Sequence, residues 1–140
     1  MIVGFTSGCF DLIHVGHAVY LENCKKLCDK LIVGVDCDRM VTEVKGDSRP
    51  VIPEKERLAM VKFLKPVDDA YIVRSLDDLH AMSIKYNVNK VFKHEGFVKI
   101  SPIIGVDGTD AELVVVPDVP GLVSTSEIIN RINIKCKFVC

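Results

Sequence analysis

Five short runs rich in valine and isoleucine recur along the chain, at residues 2–6, 31–35, 70–73, 90–92 and 112–116. Segments of helical period at 14–28, 54–63, 76–86 and 124–132 alternate with them. Runs this short and this apolar are the pattern of strands buried on both faces. Their alternation with helices of about ten residues predicts a parallel sheet joined by right-handed crossovers. The expected fold is therefore α/β, a doubly wound parallel five-stranded sheet with helices on both faces. Residues 1–140 are read as one domain, long enough to bury about two-thirds of the unfolded surface without staples. No internal repeat, linker or low-complexity tract interrupts the pattern.

In such a sheet ligands bind beyond the carboxyl ends of the strands. Residues 7–11, 36–39, 93–97 and 117–124 are expected there, converging on one crevice. The first of these leads into Phe10-Asp11-Leu12-Ile13-His14-Val15-Gly16-His17, directly after an apolar strand and a glycine turn. His14 and His17 lie three apart, so on a helix they share one face. A helix beginning near Ile13 puts them in its first turn, where unpaired backbone N–H groups and the positive dipole end favour anions. Gly16 between them removes a side chain and lets a ligand approach the backbone. The combination reads as a pocket for a phosphate chain; the plainer alternative is two ordinary histidines in an amphipathic helix. Pro53 suits the first turn of the helix at 54–63, with Glu54 and Glu56 at its positive end.

Composition removes several classes of function. A net charge of −1 gives no reason to expect a nucleic-acid partner. The apolar N-terminal run lacks a basic flank and meets Asp11 too soon for a signal peptide. Mean hydropathy is positive, but no run approaches the ~20 apolar residues of a membrane span. A soluble, cytoplasmic protein with no membrane partner is expected. The six cysteines contain no C-x-x-C pair; Cys24 and Cys28 fall on the apolar face of the first helix, where thiols act as small hydrophobes. Free thiols are expected, and no metal site in the protein itself.

Gly8-Cys9-Phe10-Asp11-Leu12-Ile13-His14-Val15-Gly16-His17 resembles the G-x-F-D-x-x-H-x-G-H signature of the cytidylyltransferase-like nucleotidyltransferases. Lys45-Gly46-Asp47-Ser48-Arg49-Pro50-Val51 resembles a run in the adenylyltransferase domain of bacterial ADP-heptose synthase. Glu56-Arg57-Leu58 with Val67-Asp68, and Val123-Ser124-Thr125-Ser126-Glu127-Ile128, are similar to two further motifs of the family in the same order. The resemblance spans Met1 to about Ile132 and implies the Rossmann-like form of the sheet. It implies transfer of a nucleoside monophosphate from ATP or CTP to a small phosphorylated acceptor, such as a heptose 1-phosphate, with release of pyrophosphate. His14, His17 and Lys45 are then the catalytic residues. Thr6, Gly8, Phe10, Ser124 and Thr125 are expected at the nucleotide and its phosphates, and Asp11, Arg57, Lys93 and Phe97 at the acceptor. Mg²⁺ is expected to travel with the triphosphate, and the expected assembly is a homodimer.

Both reactants are anions, so the chemistry needs donors and cations rather than a nucleophile and base. Imidazole N–H groups and Lys45 suit that need, and a phosphate would raise the histidine pKa values. Arg57 can grip a phosphate bidentately or be a solvated helix residue. Arg49 lies in a Gly/Asp/Ser/Pro loop. Ser124 and Thr125 can cap the last helix and present hydroxyls to phosphate at once. Asp11 can orient acceptor hydroxyls or the loop itself. The Arg-Thr pair that usually precedes the late motif in glycerol 3-phosphate cytidylyltransferases is replaced by Asp118-Val119-Pro120-Gly121-Leu122, which favours ATP over CTP. After Lys93 the chain has His94-Glu95-Gly96-Phe97 where the heptose family has a Gly-Gly-Asp-Tyr-like stretch, so residues 94–110 are expected to select the acceptor. The alternatives are a cytidylyltransferase of the glycerol 3-phosphate type and a non-catalytic nucleotide-binding module. A dinucleotide oxidoreductase lacks its G-x-G-x-x-G, and a class I tRNA synthetase lacks its lysine-rich motif.

Overall fold

The computed structural model describes residues 1–98 and 108–139. Its strands are β1 (Val3–Gly8), β2 (Lys30–Asp36), β3 (Asp69–Val73), β4 (Lys90–His94) and β5 (Glu112–Val116). They form one sheet in the order β3-β2-β1-β4-β5, every neighbouring pair parallel. The helices are α1 (Val15–Lys25), α2 (Asp38–Lys45), α3 (Glu54–Phe63), α4 (Leu76–Lys85), the short α5 (Glu95–Val98) and α6 (Thr125–Val139). The order reverses between β1 and β4, so this is the doubly wound Rossmann-like fold with its switch point at β1.

Two hydrophobic clusters follow from the alternation of side chains along buried strands. On one face Leu21 and Cys24 of α1 and Val61 of α3 pack on Leu31, Val33, Val35, Ala70 and Phe92. On the other, Leu79 of α4 packs on Val3, Phe5, Ile32, Val73 and Val91. Among the described residues no helix is long and apolar enough to cross a membrane.

Two helices lie outside the segments of helical period, the short α5 and α2. Asp38 to Lys45 fold as α2, with no side-chain cap from its own N-cap residue, Cys37. The Asp38 N–H is met instead by Glu54 Oε1 of α3, at 3.2 Å. A cap supplied from sixteen residues away leaves no local signature, and residues 38–45 are not among the segments whose period marks a helix.

β1 is tightly covered at Gly4 by Phe92 of β4 and by Cys28, just past the end of α1. A Cβ added at Gly4 would come within 2.4 Å of Phe92 Cε2 and 2.8 Å of Cys28 Sγ. Gly4→Ala is therefore expected to cost about 1–3 kcal/mol by overpacking, read as a lower urea midpoint with an unchanged m-value.

Candidate functional site

The crevice forms where β1 ends and α1 begins. His14 is the N-cap of α1, and its Nδ1 accepts from the Gly16 N–H at 3.1 Å. His17 Nδ1 accepts from the His14 N–H at 3.3 Å. The expected first-turn pair is thus a reciprocal cap, with each imidazole satisfying a backbone donor of the helix N-terminus. An accepting Nδ1 carries no proton, so both neutral rings hold theirs on Nε2. The rings lie 4.0 Å apart between centroids. His14 Nε2 is 3.4 Å from Thr125 Oγ1, whose own proton goes to the Asp11 carbonyl at 2.9 Å. Thr125 therefore accepts from His14 and ties the start of α6 to the β1 loop. Ser124 caps α6, accepting from the Glu127 N–H at 3.2 Å. A Cβ on Gly16 would lie 2.9 Å from His14 Nδ1 and 3.1 Å from the Val123 carbonyl, so glycine is what allows this close approach.

Electrostatics run opposite to the shift expected beside a phosphate. Burial lowers the pKa of His14. Burial, then the charges of His14 and Lys45, pull His17 down to about 4 against the raising effect of Asp11. Both rings are neutral Nε2–H donors at pH 7. Lys45, the last residue of α2, reaches the same neighbourhood: burial pushes the Cys9 thiol up and the Lys45 ammonium opposes it.

Two buried charges hold the loops around these residues. Asp11, 1 % exposed, accepts from the N–H groups of Val51 (2.8 Å) and Ile52 (3.0 Å) and from Arg49 Nε (3.3 Å). Burial alone would raise its carboxyl; these donors outweigh it and hold it below the usual carboxylate range. Arg57, also 1 % exposed, donates from Nε to the Ile52 carbonyl (2.8 Å), from Nη1 to the Cys9 carbonyl (2.6 Å) and from Nη2 to Asp38 Oδ1 (2.8 Å). Expected at the acceptor, both side chains turn inward and stitch residues 49–52 and α2 to the glycine loop. Asp11 takes the loop-orienting alternative; Arg57 takes neither of its two, for it is buried and fully engaged. Arg49 Nη2 is buried without a hydrogen-bond partner among the described residues.

The remaining expected residues divide. Thr6 is fully buried, and its hydroxyl donates to the Phe92 carbonyl (3.1 Å) and accepts from the Tyr20 hydroxyl (2.8 Å), so its side chain serves the core. Phe10 is 4 % exposed and supports the His17 ring from 5.5 Å. Gly8 lies against the Phe10 ring at the end of β1. Lys93, nearly buried at the end of β4, donates to Ser7 Oγ at 3.1 Å. Phe97 belongs to α5, but its side chain, like most of the segment expected to select the acceptor (residues 99–107), lies outside the described residues. Residues the sequence did not single out are Asp38, which receives Arg57, and Asp36, discussed below.

The model of the cytidylyltransferase-like family matches residues 5–131. The bifunctional protein HldE of Campylobacter fetus is 38 % identical over 133 residues, covering 92 % of this chain and 27 % of HldE. HldE of Hyphomonas neptunium is 36 % identical over 132 residues, 92 % of this chain and 26 % of its own length. The chain thus spans about a quarter of the length of these curated relatives. A lipopolysaccharide core biosynthesis protein from Thermoplasma volcanium superposes with a TM-score of 0.69 at 28 % identity, covering 85 % of this chain and 98 % of that one. A pantothenate synthetase from Thermus thermophilus shares the fold, with a TM-score of 0.62 at 14 % identity over 91 % of this chain and 61 % of that one.

Two tests follow from this geometry. Arg57→Ala is expected to cost about 3–5 kcal/mol in urea unfolding, because it orphans buried carbonyls and Asp38; a solvent-facing phosphate ligand would leave stability unchanged. His17 binds a proton in the unfolded chain near pH 6.5 but in the fold only near 4. The unfolded state holds more protons between those values, so stability is full above the window and falls by up to about 3 kcal/mol as pH drops through it. The melting temperature of His17→Asn should decline less than wild type between pH 6.5 and 4.

Proposed function

The chain belongs to the cytidylyltransferase-like family of nucleotidyltransferases, and we propose that it transfers AMP from ATP to a small sugar phosphate, the acceptor phosphate attacking the α-phosphorus and pyrophosphate leaving. The observation that carries this reading is the pair of imidazoles at the N-terminus of α1, both locked as Nε2–H donors by backbone groups of that helix. A transition state with charge spread over phosphate oxygens is stabilised by donors already oriented before it forms. His14, His17, Lys45 and the helix N-terminus supply such donors without a covalent intermediate.

As the triphosphate enters, its charge opposes the burial that holds both rings neutral, so their pKa values rise and imidazolium becomes accessible. Lys45 adds a fixed positive charge from the end of α2. Mg²⁺ would arrive with the triphosphate and supply part of the countercharge to it.

Adenine is preferred to cytosine in this reading because residues 118–122 carry no arginine before the late motif, and because the run from Lys45 to Val51 is heptose-like. Kinship with HldE supports the same acceptor class.

The test separates chemistry from capping. His14→Asn keeps a side-chain acceptor for the Gly16 N–H but loses the longer-reaching Nε2–H. Its melting temperature is expected to stay within a few degrees of wild type, while pyrophosphate release falls about 10²–10³-fold, the usual loss of one preorganised donor. His17→Ala should fall as far. Activity of either variant within threefold of wild type would remove that histidine from the reaction. Thermal stabilisation by CTP but not ATP would reverse the nucleotide assignment.

A further inference from the structure

One carboxylate at the carboxyl edge of the sheet has no hydrogen-bond or ion-pair partner among the described residues. Asp36 is the last residue of β2 and is half-buried. Among the described residues it makes no hydrogen bond and no ion pair, although the neighbouring Asp38 is bound by Arg57. Strand alternation puts Asp36 on the same face as Gly34, and the β1–β2 register puts Ser7 beside Gly34. Ser7 is where Lys93 donates, so Asp36, Ser7 and Lys93 share one face of the sheet at its ligand-binding edge. The side chains of Thr6 and Phe92 alternate to the opposite face, the one on which α1 packs.

The surroundings define what this carboxylate can take. Burial pushes its carboxyl above the usual carboxylate range, against the pull of Lys93, Arg57 and Lys45. The guanidinium of Arg57 is already engaged by Ile52, Cys9 and Asp38, so it neutralises without occupying the oxygens of Asp36. A carboxylate without donors has up to four lone-pair sites to fill. With Arg57 paired to Asp38, Lys93 and Lys45 are left facing the one carboxylate of Asp36, which disfavours a cationic ligand group and leaves a neutral hydroxyl as the best-suited donor. A phosphate on the same ligand would be welcome beside Lys93 and Lys45.

We propose that Asp36 selects the acceptor, its carboxylate accepting a hydrogen bond from a hydroxyl of a phosphorylated sugar or polyol laid along the β2–β1–β4 edge. This rests on the transferase reading above and assigns the acceptor to the face opposite α1. Asp36 is then a specificity determinant with no part in handling the triphosphate. A site built to hydrogen-bond a substrate hydroxyl discriminates strongly against the analogue that lacks it, because its own polar group is left unpaired.

The experiment compares wild type, Asp36→Ala and Asp36→Asn with ATP and five probes: glucose 1-phosphate, mannose 1-phosphate, sn-glycerol 3-phosphate, ethyl phosphate and phosphoethanolamine. Asp36→Ala should lose about 10- to 100-fold in kcat/KM for the hydroxylated probes, with kcat/KM for ethyl phosphate and KM for ATP within twofold of wild type. Asp36→Asn, which keeps one acceptor oxygen, should lie between them. Both variants should stay folded, with melting temperatures only modestly below wild type through the lost attraction between Asp36 and the buried Lys93, and the same modest drop in both would not follow the acceptor's hydroxyls. Equal losses on hydroxylated and plain acceptors, a loss confined to ATP, or a wild-type preference for phosphoethanolamine abolished in Asp36→Ala would each overturn the proposal. If no probe supports pyrophosphate release by wild type, the transferase reading fails separately, and calorimetric titration of the same probes judges Asp36 alone. Weaker binding of hydroxylated probes by Asp36→Ala would then uphold it; equal affinities, or no binding by wild type, would overturn it.

Discussion

The guanidinium of Arg57 is the point on which the rest of the site depends. It lies inside the protein with three of its donors on three different segments: the carbonyl of Cys9 after β1, the carbonyl of Ile52 before α3, and Asp38 at the start of α2. Burying a charge is costly, and a well-packed apolar replacement is often no less stable. What such a replacement could not do is hold these segments in one register, because each contact is a directed hydrogen bond. Asp11 works from the other side, taking the two consecutive N–H groups of Val51 and Ile52 and lending its own carbonyl to Thr125. Together the pair joins the glycine loop, the segment before α3 and the start of α6. Those are the pieces that meet at the two histidines.

The histidines are themselves part of the fold before they are part of any chemistry. Each satisfies a backbone donor that the first turn of α1 would otherwise leave open. The tautomer follows from that task, and so does the direction in which the remaining proton points. A site assembled this way costs little reorganisation when an anion arrives, since donors, helix dipole and Lys45 are in place already. Burial keeps both rings neutral at pH 7, so each presents an Nε2–H and not a charge.

How much of this the sequence displayed depends on the range of the interaction concerned. The sheet was legible because buried parallel strands read as apolar runs, and the α1 site because strand, glycine and paired histidines are adjacent in the chain. The role of Arg57 was not, and that of Asp11 was legible only as one of two alternatives, because the side-chain partners lie up to 48 residues away and are mostly backbone groups, which every residue carries. A charged residue near a phosphate motif looks the same in sequence whether it faces outward to a ligand or inward to a carbonyl. Thr6 was misjudged for a related reason: its hydroxyl suits a phosphate, yet Phe92 and Tyr20 meet it in the core. Asp36 was placed at the crevice with residues 36–39, but no pattern in the sequence tells that its carboxylate is left without a hydrogen bond among the described residues.

The position of Lys45 shows how far the crevice depends on elements that never touch it. Lys45 ends an eight-residue helix, far below the length at which a helix is stable alone. Its N-cap residue, Cys37, makes no side-chain capping bond. What keeps α2 folded is supplied from outside: Glu54 accepts from the Asp38 N–H, Arg57 binds the Asp38 carboxylate, and Thr42 donates to the Arg49 carbonyl at 2.7 Å. Two of those three ties come from α3, and the third from the loop that Asp11 holds. The same arginine that fixes the glycine loop under the histidines therefore also fixes the helix that delivers the lysine. One buried side chain thus anchors both the glycine loop beside the histidines and the helix that ends in Lys45, which is how short segments with few local ties are held in one arrangement.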